Sequence, residues 1–124
     1  MKFYICSHCK NVIVKVSDSQ VPVFCCGEAM KELVANTTDG ATEKHVPVVQ
    51  NDGQYVKVEV GSTLHPMTPE HFIQWIVLET NLGYTIHHLT ADDEPKTTFV
   101  LNEGEKALAV YEYCNLHGLW KLEL

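Results

Sequence analysis

Four cysteines fall within the first 26 residues, as Cys6-Ser7-His8-Cys9 and, after 15 intervening residues, the pair Cys25-Cys26. Residues 1–36 carry short β-like pieces at 2–5, 11–16 and 21–24, but too few apolar side chains for a core of their own. Below about 40 residues a chain normally needs a metal or a disulfide to hold it together. Four thiolates from two local clusters can surround one tetrahedral ion. The start, MKFYICSHCK, has no apolar run of the secretion-signal kind. The expected setting is therefore the cytoplasm, where thiols stay reduced and a metal site is favoured over a disulfide network. Spacing alone leaves iron and zinc open, because a tetrahedral set of sulfurs fits both. Adjacent Cys25 and Cys26 point in different directions, so the backbone must bend there, and Gly27 would relieve the bend. His8 lies inside the knuckle, but four thiols fill a tetrahedral shell without it, so it reads as a surface residue.

The turn-rich stretch Asn36-Thr37-Thr38-Asp39-Gly40 reads as a linker, dividing the chain into domains at 1–36 and 37–124. Beyond it the pattern is all β. Residues 54–60 alternate strictly, with Val56, Val58 and Val60 on one face and Lys57 and Glu59 on the other. Residues 71–80 and 83–89 form a hairpin around Asn81-Leu82-Gly83, and 96–101 and 105–113 another around Asn102-Glu103-Gly104. With 45–49 this makes six or seven short strands separated by turns, the pattern of a β-sandwich. The chain has nine Lys, no Arg and 16 Asp+Glu, for a net charge of −7. Without guanidinium forks nucleic-acid binding is not expected. No apolar run reaches the roughly 18 residues of a membrane span.

A second set of metal-ligating residues lies in the β region. Cys114 and His117 form a C-x2-H, and His65-Pro66-Met67-Thr68-Pro69-Glu70-His71 places two histidines in one proline-restricted loop. His45 adds a fourth imidazole. Imidazoles with one thiolate suit iron, copper or zinc. Scattered core or surface histidines are the plain alternative for any one of them, and the grouping with the remaining cysteine argues for a site. His87 and His88 are adjacent on a strand, face opposite sides of the sheet, and read as structural. Asp92-Asp93-Glu94 reads as a solvated acidic turn.

The motifs together resemble the desulfoferrodoxins, the two-iron class of superoxide reductases. They are C-x2-C at Cys6 and Cys9, F-C-C-G-E-A-M from Phe24, T-E-K-H-V-P from Thr42, H-P-M from His65 and C-N-L-H-G-L-W from Cys114. The resemblance implies a small desulforedoxin- or rubredoxin-like domain whose iron is held by Cys6, Cys9, Cys25 and Cys26. It implies a second domain, an immunoglobulin-like β-sandwich, with a mononuclear non-haem iron held by His45, His65, His71 and His117 equatorially and Cys114 axially. The implied reaction adds one electron and two protons to superoxide, giving hydrogen peroxide. The resemblance further implies a cytoplasmic homodimer fed by a rubredoxin-like electron donor.

For that reaction an anionic substrate must approach a protein of charge −7. Lys44, beside His45, is the natural local cation, and the resemblance implies that Glu43 caps the oxidised iron. A solvated Glu-Lys loop is the plain alternative. The backbone N–H groups of residues 115–117 are candidate donors to the Cys114 sulfur. Two other readings compete: an iron-binding electron carrier or redox sensor without turnover, and a zinc-stabilised binding module.

Overall fold

Phe3 and Cys6 are the only buried residues of the first 34. The computed structural model describes residues 1–124, which form two compact units, Met1–Val34 and Ala35–Leu124. In the first, β1 (Phe3–Ile5) lies between β2 (Val12–Val14) and β5 (Lys31–Leu33), antiparallel to both. A two-stranded ribbon joins β3 (Phe24–Cys25) to β4 (Glu28–Ala29). Val16, Val21 and Phe24 stay exposed. Two buried side chains cannot stabilise a unit of this size, so its order depends on the cysteines.

The second unit is a sandwich of two antiparallel sheets. One has the order β10-β7-β6, from β6 (Pro47–Asp52), β7 (Tyr55–Val60) and β10 (Lys96–Val100). The other has the order β12-β11-β8-β9, from β8 (Ile73–Thr80), β9 (Gly83–His88), β11 (Ala107–Cys114) and β12 (Gly118–Glu123). The alternation in β7 sends Val56, Val58 and Val60 inward, while Tyr55, Lys57 and Glu59 face water. They meet Ile73, Ile76, Leu78, Val110 and Cys114 of the facing sheet, with Phe99 and Leu101 closing the core. Each such aliphatic side chain contributes about 1.5–3 kcal/mol on burial.

β8 reads as a nearly continuous apolar run because both of its faces are covered. Ile76 and Leu78 point into the core, and Val77, opposite Tyr111, is fully buried on the other face. There Trp75 stacks on Tyr113 with centroids 5.3 Å apart. The pairing of β8 with β11 shifts register between Tyr113 and Cys114. A bulge at that point re-aims the strand end that carries Cys114.

Three features depart from the sequence reading. Residues 42–45 form one helical turn, α1 (Thr42–His45), so His45 ends a helix rather than starting a strand. Residues 118–123 form the unexpected strand β12. The stretch read as a linker is bound along β12. Asn36 N–H donates to the Leu119 carbonyl (3.0 Å), Asn36 Oδ1 accepts from Lys121 N–H (2.8 Å), and Thr38 Oγ1 donates to the His117 carbonyl.

Candidate metal centres

In the first unit all four cysteine sulfurs lie within 4.8 Å of one another, and all are free thiols. Sγ of Cys9 is 3.5 Å from that of Cys25, which is 4.0 Å from that of Cys26. Sulfurs at about 2.3 Å from a tetrahedral ion stand about 3.8 Å apart, so the observed edges fit one ion. The adjacent pair reaches the same point because Cys26 itself takes φ +53° and Gly27 φ +78°. The bend therefore starts one residue earlier than Gly27, at a side-chain-bearing position where the left-handed region is uncommon. The Cys9 backbone N–H donates to Cys6 Sγ (3.5 Å) and draws that thiol down to about 6. The neighbouring sulfurs of Cys6 and Cys9 push Cys26 up to about 12. One thiol ionises readily alone, and four can do so together only around a cation. His8 sits outside this set, paired with Glu28 at 3.2 Å and half exposed.

The second group draws on three separate places in the sandwich. His45 ends α1, His65 and His71 lie in the β7–β8 connection, and Cys114 and His117 flank the β11–β12 turn. Cys114 pairs with Gly118, whose φ of +78° lets the hairpin close over only three residues, so the C-x2-H spacing is the turn itself. The β7–β8 loop is closed by reciprocal backbone bonds between Thr68 and His71 (2.9 and 3.1 Å). Asn115 joins that loop to the turn. Its Oδ1 accepts from Phe72 N–H (2.9 Å), and its Nδ2 donates to the Glu70 carbonyl (2.9 Å). Gly61 lets α1 sit down on the end of β7, since a Cβ there would lie 2.8 Å from the carbonyl oxygens of both Glu43 and Val46.

The four imidazoles form a square. Neighbouring ring centroids in the order His45, His65, His71, His117 are 4.8, 4.5, 5.1 and 4.8 Å apart, all close to edge-on, and the His45–His71 diagonal is 6.5 Å. His45 and His65 each use Nδ1 on a carbonyl, of Ala41 and Pro66 respectively, both at 2.7 Å. Their Nε2 lone pairs are thereby turned toward each other, 3.2 Å apart. Nε2 of His45 lies 3.1 Å from Nδ1 of His117. Two nitrogens held at about 2.1 Å and a right angle stand about 3 Å apart, so these edges fit one ion. Nε2 of His71 is buried with no hydrogen-bond partner. A buried polar atom without a partner is costly in a protein interior, and a cation inside the square satisfies it. Burial holds His45 and His71 below their ordinary values and draws His65 down to about 4, so these rings are neutral and able to ligate at pH 7.

Cys114 is fully buried, with its sulfur 3.7 Å from His117 Nδ1. Burial pushes its thiol up, and backbone N–H donors from His117 and Leu116 oppose that push. His117 N–H reaches the sulfur at 3.4 Å, whereas Asn115 N–H donates to the Phe72 carbonyl. Only two of the three expected donors therefore serve the sulfur. Lys44 and Glu43 are both exposed on α1, and the Lys44 ammonium repels protonation of both His45 and His71. His87 belongs to the packing, with Nδ1 2.6 Å from Thr97 Oγ1 and its ring stacked on Phe99. Asp93 caps its own turn through Thr90 N–H (2.7 Å).

Two further residues have no role assigned from the sequence. Trp120 stacks on His45, and Glu112, two residues before Cys114, is fully buried with both carboxylate oxygens unpartnered. Burial raises the Glu112 carboxyl well above the ordinary range, so it keeps its proton in the folded chain. Unfolded and folded forms are both protonated below the ordinary carboxylate range. Above it folding takes up a proton, and stability falls by about 1.4 kcal/mol per pH unit until the folded group titrates. Glu112→Gln should remove that slope. Both tryptophans lie in the second unit, so the thermal midpoint followed by their fluorescence should fall less steeply in the variant between about pH 5 and 8. A slope equal to that of the wild type contradicts a buried neutral carboxyl.

A family model described as Desulfoferrodoxin matches residues 37–123. The chain is 43% identical over 123 residues to a desulfoferrodoxin of Syntrophotalea carbinolica, covering 99% of this chain and 96% of that protein. It is 36% identical over 113 residues to a superoxide reductase of Pyrococcus horikoshii, covering 77% of this chain and 96% of that protein. Among solved structures, the superoxide reductase from Treponema pallidum is similar with a TM-score of 0.83 and 38% identity, covering 98% of each chain.

Proposed function

Because this chain belongs to the desulfoferrodoxin family, we propose that it is a superoxide reductase that holds two iron ions, one in each unit. Cys6, Cys9, Cys25 and Cys26 hold the first, in a desulforedoxin-like domain, and His45, His65, His71, His117 and Cys114 the second, in the β-sandwich. The observation that carries the reading is the square of imidazoles with the unpartnered His71 Nε2 and a buried thiol beside it. Iron bound there supplies a one-electron couple and a coordination position that the protein's five ligands leave free.

The balance is O2⁻ + e⁻ + 2H⁺ → H2O2, so the chain must attract an anion, hold the ligands and accept electrons from outside. Lys44 offers an exposed cation on the same helical turn as His45, against an overall charge of −7. Glu43, beside it on the same helical turn, would supply the carboxylate that caps the oxidised iron. The Nδ1–carbonyl bonds of His45 and His65 keep those rings in one tautomer. Cys9 and Cys26 are exposed, so a rubredoxin-like reductant can reach the sulfur cluster. A cytoplasmic homodimer completes the reading, and sedimentation of the purified protein tests its oligomeric part.

Stopped-flow mixing of the reduced protein with superoxide tests the function. A fast second-order oxidation of the second centre is expected, and a protein that carries iron but is not oxidised by superoxide contradicts the reading. The same experiment tests Lys44. Like-signed clefts raise on-rates by about 10–10³-fold, so Lys44→Ala should slow the second-order step by about tenfold or more. Later first-order steps should change much less. The wild-type rate should fall as salt is added, because exposed charges are screened beyond about 8–10 Å. A wild-type rate that rises with salt, or a Lys44→Ala slope equal to that of the wild type, removes the steering role.

A further inference from the structure

We propose that Trp120 is a positioning residue that clamps the His45–His117 edge of the imidazole square, an inference that rests on the reading of that square as a metal centre. Its indole stacks on the His45 ring, with centroids 4.9 Å apart and an interplanar angle of 26°. Its Nε1–H donates to the His117 carbonyl at 3.0 Å. One side chain therefore touches two ligands that are 72 residues apart in sequence and come from different elements.

Each ligand needs what Trp120 supplies. His45 is tied at Nδ1 to the Ala41 carbonyl, a single bond about which the ring can still tilt. The indole face blocks that tilt on one side. His117 sits in a three-residue turn, where its ring direction follows the turn's peptide planes. Trp120 Nε1–H and Thr38 Oγ1 both hold its carbonyl. The indole is itself locked. Trp120 is 3% exposed, and a Cβ on Gly40 would come within 3.2 Å of Cζ2 and 3.4 Å of His117 Cβ. The backbone at Gly40 thus lies close to both the indole and His117, where a side chain would be crowded.

Orienting partners of metal ligands change metal affinity by about 10–100-fold when removed. The test compares iron-loaded Trp120→Leu, Trp120→Phe and Trp75→Leu proteins with the wild type. Trp75 is the control, because it stacks on Tyr113 and occupies the opposite face of the same sheet from Trp120. Two readouts are taken: the rate of iron loss from the second centre to a chelator, and the visible thiolate-to-iron absorption band of the oxidised protein. Trp120→Leu should release iron about 10–100-fold faster and shift the band. Trp120→Phe retains a ring on His45 but loses the N–H, and should give a smaller change of the same kind. Trp75→Leu should lower the thermal midpoint and leave the band in place. If Trp120→Leu does not fold, Trp120→Phe decides alone. Wild-type release and band position in the folded Trp120 variants overturn the clamp, as does a Trp75→Leu protein that loses iron equally fast. A wild type without iron in the imidazole square or without the band refutes the metal-centre reading itself, a result distinct from either.

Discussion

Iron-loaded Cys114→Ser protein should reduce superoxide at least about 100-fold more slowly than the wild type, since removing even an outer partner of a metal ligand costs 10–100-fold. Cys114 is the only cysteine outside the N-terminal cluster, and its sulfur stands 3.7 Å from His117 Nδ1 in a fully buried position. Serine fits the same space, so the β8–β11 and β11–β12 pairings should survive. What disappears is a polarizable anionic ligand that two backbone N–H groups are already placed to receive. The four imidazoles still offer their nitrogens, so iron should remain bound while its thiolate absorption is lost. Near-normal turnover in an iron-loaded Cys114→Ser protein contradicts the assigned role of the sulfur.

Cys25→Ser should have an equally large effect confined to the other end of the chain. The first unit buries only Phe3 and Cys6, so without the fourth sulfur it loses the ion and the order that the ion supplies. Limited proteolysis should cut within residues 1–34 of the variant and leave 35–124 whole. Superoxide reduction by the chemically reduced protein should stay within about twofold of wild type, because none of the five second-centre ligands lies in the first unit. Loss of the fast reaction in a variant that retains its second iron contradicts independent centres.

The parts of this fold that were legible in the sequence are those written in local spacing. The valine alternation of β7 and the pairing of β8 with β9 follow from period-two patterns and turn residues. The two metal sets follow from chemistry that few other arrangements use, a C-x2-C with a Cys-Cys pair and a C-x2-H with two histidines in one loop. What was not legible depends on register and close approach. α1 spans four residues, too few for any helical period, and is held by Gly61 and the turn after β7 rather than by its own propensity. β12 hides because Leu119 and Trp120 are both buried on opposite faces, which erases its alternation. In Tyr111-Glu112-Tyr113 hydrophobicity alone points the carboxylate outward. Strand pairing instead places Glu112 on the core side with Val110 and Cys114. Asn115 and Trp120 acquire their parts only when distant elements meet.

The most direct measurement is the product balance when limiting superoxide is added to the fully reduced protein, with peroxide and oxygen read together. Reduction yields one hydrogen peroxide for every superoxide consumed and no oxygen, with oxidised protein formed in step. Dismutation yields half as much peroxide and an equal amount of oxygen, and leaves the protein's redox state unchanged. The first result is the one this account predicts. Oxygen evolution at the dismutation ratio, or peroxide formed without oxidation of the protein, contradicts it.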